Sequence, residues 1–228
     1  ENVAALGDID GDGSADFLLG APRDKQSAID AGMVRIYSGG TGFRMYEILG
    51  WASGDAFGWG LAAIGDVSGD GVTDFTVGAP LADYTGSGSG RIFVYSGSNF
   101  SLLYTLDGVA DYDNFGASAS GLGDVDGDGF GDFIVGAMQY GGSLSGGGDG
   151  TGYATVHSGS TGAILHTVVG AHPKAFFGSS VGGPGDVDGD GTPDFMVGAY
   201  GTDIGAMNTG SVSVYSGATG ALLFSSNG

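Results

Sequence analysis

The stretch GDVDGDGFGDFIVGAM, residues 123–138, runs a cluster of aspartates directly into a short apolar segment. GDVDGDG returns at 185–191, with GDIDGDG at 7–13 and GDVSGDG at 65–71. Each cluster leads into an Asp-Phe strand that ends in Gly-Ala: DFLLGAP from Asp16, DFTVGAP from Asp74, DFIVGAM from Asp132 and DFMVGAY from Asp194. Aligned on their first aspartates, Asp8, Asp66, Asp124 and Asp186, the copies stand 58, 58 and 62 residues apart. The chain is an internal repeat.

Outward from the cluster, each copy predicts four strands. A first strand precedes the aspartates, as in VAAL from Val3 or LAAI from Leu61. The Asp-Phe strand is second, and an alternating strand closed by a turn is third: MVRIYSG, RIFVYSG, YATVHSG and SVSVYSG. Alternation places Val34 and Ile36, Ile92 and Val94, Ala154 and Val156, and Val212 and Val214 on one buried face. Arg35, Phe93, Thr155 and Ser213 take the other face. The fourth strands fall near Met45–Leu49, Leu102–Leu106, Ile164–Val168 and Leu222–Ser225. The third copy is longer by four residues, placed in the Gly-rich segment Gly141 to Gly152. Four antiparallel strands repeating at ~40 to 60 residues predict an all-β chain folded as a β-propeller. A parallel β-helix has a shorter period, and a sandwich does not repeat its loops so faithfully. The blades are expected at about 1–56, 57–114, 115–176 and 177–228 of a single propeller domain or segment. Four whole blades close on themselves, pair with a second chain or belong to a longer ring; a self-contained unit is the expectation.

Composition agrees with this class. Of 228 residues 41% are hydrophobic, too many for a disordered acidic tail. Fifty-one Gly and five Pro, amid abundant Val, Phe, Tyr, Ser and Thr, describe short strands joined by tight turns. A formal charge of −20 with six Lys and Arg makes nucleic acid and anionic membrane surfaces poor partners, and cations good ones. There is no cysteine, hence no disulfide framework or thiol chemistry. No segment approaches the ~18 apolar residues of a membrane-spanning helix, so membrane insertion is not expected. The chain begins at Glu1, not Met, as a processed or excised segment does.

The aspartates follow the pattern D-x-[DS]-x-D-G-x-x-D. Side-chain oxygens at positions one, three, five and nine, with a reversal at the position-six Gly and a backbone carbonyl at position seven, make an oxygen-rich loop for Ca2+. The expected ligand sets are Asp8, Asp10, Asp12, Ser14 and Asp16; Asp66, Ser68, Asp70, Val72 and Asp74; Asp124, Asp126, Asp128, Phe130 and Asp132; and Asp186, Asp188, Asp190, Thr192 and Asp194. An EF-hand is excluded, because its twelfth position needs a bidentate Glu and here holds Leu19, Val77, Val135 and Val197. Mg2+ is disfavoured, because so many ligands would strip its water. Ser68 leaves the second loop one charge short, so that site is expected to bind most weakly. Four bound Ca2+ would take the formal charge from −20 to −12.

These residues resemble the FG-GAP repeat of the integrin α-subunit β-propeller. The FG stands at Phe57-Gly58, Phe115-Gly116 and Phe177-Gly178, and the GAP at Gly20-Ala21-Pro22 and Gly78-Ala79-Pro80, with the calcium loop between them. The third and fourth copies depart from it, with Gly136-Ala137-Met138 and Gly198-Ala199-Tyr200, and the first copy has no FG. The resemblance implies calcium-stabilised adhesion or ligand recognition outside the cell or at its surface. Similar repeats occur in bacterial surface proteins, in lectin-like propellers and beside catalytic domains; the near-identity of these copies suggests recent duplication, and their simplicity suggests a bacterial surface or secreted protein.

The leading expectation is therefore a binding or adhesion module for an extracellular protein or glycan, with specificity in loops that differ between copies. These are the Gly141 to Gly152 insertion, RDKQSAID from Arg23 to Asp30, and the turn bearing Trp51 and Trp59. Trp59 is expected to pack beside Phe57. A lectin-like alternative uses Trp51, Tyr84, Tyr112 or Tyr140 as stacking surfaces, and exposed blade edges offer self-association into a structural surface component. No catalytic residue is expected. His157 occupies the slot that is Tyr in the other copies, His166 lies in a fourth strand, and Ser158 has counterparts at Ser38, Ser96 and Ser216.

Overall fold

A computed structural model of the chain describes residues 2–140, 150–201 and 209–228. Its sixteen strands form four antiparallel sheets. The first contains β1 (Asn2–Gly7), β2 (Asp16–Ala21), β3 (Met33–Tyr37) and β4 (Arg44–Leu49). The second contains β5 (Leu61–Gly65), β6 (Asp74–Ala79), β7 (Arg91–Tyr95) and β8 (Leu102–Asp107). The third is β9 (Phe115–Gly123), β10 (Asp132–Ala137), β11 (Tyr153–His157) and β12 (Ile164–Val169). The fourth is β13 (Phe177–Gly185), β14 (Asp194–Ala199), β15 (Ser211–Tyr215) and β16 (Leu222–Asn227). Each sheet pairs its strands in chain order, and no helix occurs among the described residues. This is the all-β propeller architecture that the repeat predicts. Among the described residues no helix is long and apolar enough to cross a membrane.

The repeat motifs explain how one sheet sits on the next. First strands touch first strands, β1 on β5, β5 on β9 and β9 on β13, so they line the inside of the array. Gly20, Gly78 and Gly136, the glycines of the Gly-Ala motif, each lie against the carbonyl of an FG glycine in the following sheet: Gly58, Gly116 and Gly178. A side chain there would collide with that backbone. The FG glycines have φ values of 93, 87 and 85°, a region costly for residues with a Cβ. Isolated parallel bridges, Gly32 to Phe57, Gly90 to Phe115 and Gly152 to Phe177, fasten successive sheets.

Burial shows which faces are covered. Every residue of β6 and β10 is buried, because the second and third sheets have neighbours on both sides. Phe93 and Thr155 are therefore buried along with the face that alternation marks as apolar. The end sheets differ. Phe17 of β2 is 36% exposed where its counterparts Phe75, Phe133 and Phe195 are 0% exposed. Val212 and Met196 of the fourth sheet are 44% and 36% exposed, which corrects the expectation that Val212 lies on a buried face. Among the described residues no following sheet covers it. Among the described residues the fourth sheet shares no broad contact with the first, so the four sheets form an open arc, not a closed four-blade ring.

Candidate metal centres and the opposite aromatic pole

Antiparallel order sorts the connections into two poles. The β1–β2 type loops, which carry the aspartates, lie at the same pole as the β3–β4 type turns. The β2–β3 type loops and the links between sheets lie at the other.

Each acidic loop is wound about its own carboxylates. In the first, Asp8 Oδ1 accepts from the Gly11 and Asp12 N–H groups at 2.8 and 3.1 Å, and Oδ2 accepts from Gly13 at 2.9 Å. Gly11 and Gly13 have φ of 78 and 90°, which reverses the chain around that carboxylate. The ninth-position aspartates Asp16, Asp74, Asp132 and Asp194 are buried. Asp132 shows how they are held: Oδ2 accepts from Val125 and Asp126 at 2.7 and 3.2 Å, and Oδ1 accepts from Gly159 at 2.9 Å. Burial pushes the Asp74 and Asp132 carboxyls above the usual range, and the backbone donors pull the other way.

Three ligand positions converge. Carboxylate oxygens of Asp8, Asp10 and Asp16 lie within 4.8 Å of one another, as do those of Asp124, Asp126 and Asp132, and of Asp186, Asp188 and Asp194. The Asp188 carboxyl is raised, first by desolvation and then by repulsion from Asp190, Asp194 and Asp186. Such hard, crowded oxygens suit a divalent cation of calcium's size. In the second loop Ser68 stands where the third carboxylate would be, its Oγ 3.4 Å from Asp66 Oδ1, with Asp74 accepting from the Ser68 N–H.

Position five does not join these groups. Asp12, Asp70, Asp128 and Asp190 each accept through Oδ1 from the N–H of the position-seven residue, Ser14, Val72, Phe130 or Thr192, at 2.8 to 2.9 Å. The other oxygen of Asp12 meets Ser38 Oγ, that of Asp70 meets Ser98 and Ser96, and that of Asp128 meets Ser160. These hydroxyl bonds, with the backbone donors next, hold the Asp70 and Asp128 carboxyls below the usual range. Sequence reading missed the turn residues that complete the loops. Gly39, Gly97, Gly159 and Gly217 each donate to the ninth-position carboxylate and have room for no side chain, because the carbonyl of loop position eight lies against them. The recurrent Ser-Gly after each Tyr or His is the signal that could have found them.

The FG-GAP repeat family matches residues 2–37, 57–95, 115–157 and 177–215. The chain belongs to the FG-GAP repeat family. It is 36% identical over 214 residues to integrin alpha-V of Gallus gallus and 34% identical over 215 residues to integrin alpha-5 of Xenopus laevis. Each alignment takes in 87% of the chain and 20% of the relative, so the chain spans about a fifth of the length of these integrins. Among solved structures, a Bacillus licheniformis rhamnogalacturonan lyase PL11 is similar with TM-score 0.52 at 15% identity, covering 100% of this chain and 51% of the lyase. The Dos1 propeller is similar with TM-score 0.50 at 12% identity, covering 93% and 44%. These two show shared fold alone. The chain is an integrin-alpha-like FG-GAP propeller assembly of four repeats.

At the other pole of this FG-GAP array the aromatic candidates do not converge on one site. Trp51 is 64% exposed and edge-on to Phe93 at 5.7 Å, in the outer groove between the first two sheets. Tyr84 lies under the Arg91 guanidinium, 3.2 Å from ring centroid to Cζ, and Arg91 also pairs with Asp107. Tyr112 is a turn residue with φ of 61° whose N–H donates to Ser87. Tyr140 packs on Phe176 at 5.6 Å, and Phe176 stacks on Tyr200 at 4.9 Å. Trp59 corrects the expectation that it packs beside Phe57. It makes no ring contact with Phe57, stands 38% exposed, and lines a cleft with Asn2, Ala21, Pro22, Arg23 and Asp24. Residues 141–149 of the Gly-rich insertion lie outside the described residues.

Proposed function

We propose that the chain is a calcium-stabilised extracellular or cell-surface binding and adhesion module of integrin-alpha-like FG-GAP type, without catalysis of its own. The observation that carries this reading is the gathering of three carboxylates within 4.8 Å in three of the repeated loops. Calcium there joins the first and second strands of each blade, and through the ninth aspartate it also fixes the turn after the third. The proposed complement is four ions, one per repeat, at the residues named from sequence, with the Ser68 loop weakest. The blades would divide the chain near residues 57, 115 and 177. Extracellular calcium modules bind at roughly 10⁻⁴ to 10⁻³ M, levels met outside cells, which supports that location. The varied loops of the opposite pole then meet a protein or glycan ligand.

Absence of catalysis is supported by the use already made of the candidate groups. His157 is buried between Thr155 Oγ1 at 2.8 Å and the Gly162 carbonyl at 3.1 Å, and stacks on Phe133 at 5.6 Å. His166 contacts the Gly217 carbonyl, and Ser158 is buried in its turn. The test is a count of bound calcium by equilibrium dialysis, in the protein and in Asp124→Asn and Asp186→Asn. Four ions falling to three in each variant supports the reading, and no calcium bound at millimolar concentration rejects it.

A second reading, a self-assembling surface component, is favoured by the uncovered faces of the end sheets, where Phe17, Met196 and Val212 are exposed. Light scattering across a concentration series separates it from a monomeric binder.

A further inference from the structure

The cleft beside Trp59 has a volume of about 530 Å³ and lies between the first and second sheets at the aromatic pole. That is the size range of small-ligand sites, ~300–1,000 Å³. Its floor, Ala21 and Pro22, belongs to the repeat, since Ala79 and Pro80 stand in the same places one copy later. Its chemistry does not. Arg23 and Asp24 correspond to Leu81 and Ala82, and Trp59 corresponds to Ala117 and Ser179 in later copies. Three residues that the fold does not require have been set side by side around one opening.

Each brings a different demand. Four of the six basic residues, Lys25, Arg35, Arg44 and Arg91, have carboxylate partners; Arg23 has none among the described residues. In a chain of net charge −20 an unpaired guanidinium is a vacant seat for a carboxylate, which it grips through two parallel N–H donors. Trp59 offers an exposed apolar ring, and its backbone carbonyl accepts from the Asn2 side-chain amide. Asp24 accepts the Gln26 N–H through Oδ1 at 2.8 Å, and a carboxylate has further lone pairs to accept hydroxyl protons. A purely anionic ligand would be repelled by Asp24, and a neutral one would leave Arg23 unpaired. A ring that carries both hydroxyls and a carboxylate satisfies all three.

We propose that this cleft binds a carboxylated sugar of the uronate class, with its ring face on Trp59, its carboxylate on Arg23 and a hydroxyl on Asp24. The proposal rests on the binding-module reading and names its ligand class. The test uses the full chain, calcium-loaded, in a Trp51→Phe background so that Trp59 alone reports by fluorescence. Oligosaccharides of galacturonate or glucuronate, their neutral hexose counterparts and an acidic peptide are titrated in turn. The expected result is a saturable change with the uronates. Arg23→Gln should weaken uronate binding at least about tenfold while leaving the neutral sugars as they were, Arg23→Lys should restore part of the loss, and Trp59→Ala, titrated by calorimetry because it lacks the reporter, should abolish binding with its melting temperature unchanged. No saturable response to uronates at millimolar concentration, an equal response to neutral sugars, or tighter binding of the acidic peptide would overturn the proposal. A protein that responds to calcium as expected and ignores uronates loses this proposal alone.

Discussion

Asp132 and its three counterparts are the residues on which loop and sheet depend together. Each is buried at the start of a second strand and accepts backbone N–H groups from its own loop and from the following turn. The loop spacing made these aspartates legible as ligands, but not as clamps, because the Gly159 donor lies 27 residues away in sequence. Ser68 marks the one loop where a carboxylate is missing. Ser68→Asp should tighten calcium at that loop by roughly tenfold or more, since ligand charge sets affinity in such sites. Calcium titration would show the weakest binding phase disappear; an unchanged isotherm would mean that the third position does not ligate. His157 supplies a second prediction. Burial lowers its pKa below the ordinary 6.5, with the Gly162 carbonyl opposing. The unfolded chain therefore takes up a proton that the folded one refuses, and stability present above pH 6.5 is lost as pH falls below it. Restoring the tyrosine of the other copies with His157→Tyr should flatten the fall in melting temperature as pH drops below about 6.5. An unaltered slope would locate the acid sensitivity elsewhere.

At the level of strands and sheets, alternation and repeat spacing were enough to place all four sheets, because a buried strand must present every second side chain to its neighbour. What the spacing could not show is that the two named motifs meet each other. The Gly of one sheet's Gly-Ala lies on the FG carbonyl of the next, a contact between residues some forty positions apart, as Gly78 and Gly116 are. Gly78→Ala should therefore force the second and third sheets apart and cost about 1–3 kcal/mol or more, as overpacking does. Among the described residues Gly198 has no following sheet, and a Cβ there meets the movable Ser180 hydroxyl at 2.2 Å, with the nearest backbone carbonyl at an ordinary contact distance of 3.6 Å. Gly198→Ala should cost well under half as much. Parallel denaturant melts of the two variants decide the point, and equal losses would mean that the glycines serve local backbone geometry instead of sheet stacking. Exposure of Val212 was illegible for a related reason. Periodicity says which face of a strand is apolar, not whether a further sheet arrives to cover it.

For the whole molecule, two properties follow from the arc. Phe17, Met196 and Val212 are exposed on the end sheets, so on the self-assembly reading mass by light scattering rises with concentration, and Met196→Lys, placed on one such face, holds the chain monomeric. A mass that stays monomeric in the unmodified chain would show that the end faces are tolerated in water. The second property is charge. Fifteen of the 26 acidic residues sit in the four loops at one pole, where bound cations would relieve their mutual repulsion. The measurement that bears most directly on this is thermal unfolding in millimolar calcium and again in excess EDTA, at fixed protein concentration. An ion at ~100 times its dissociation constant contributes ~2.7 kcal/mol per site, and ~1 kcal/mol moves the melt of a chain this long by ~2–4 °C. Four sites predict a fall of tens of degrees on chelation. Melts that coincide with and without calcium would mean that the aspartates are solvated turns held by their own backbone hydrogen bonds, and the calcium-built module would be contradicted.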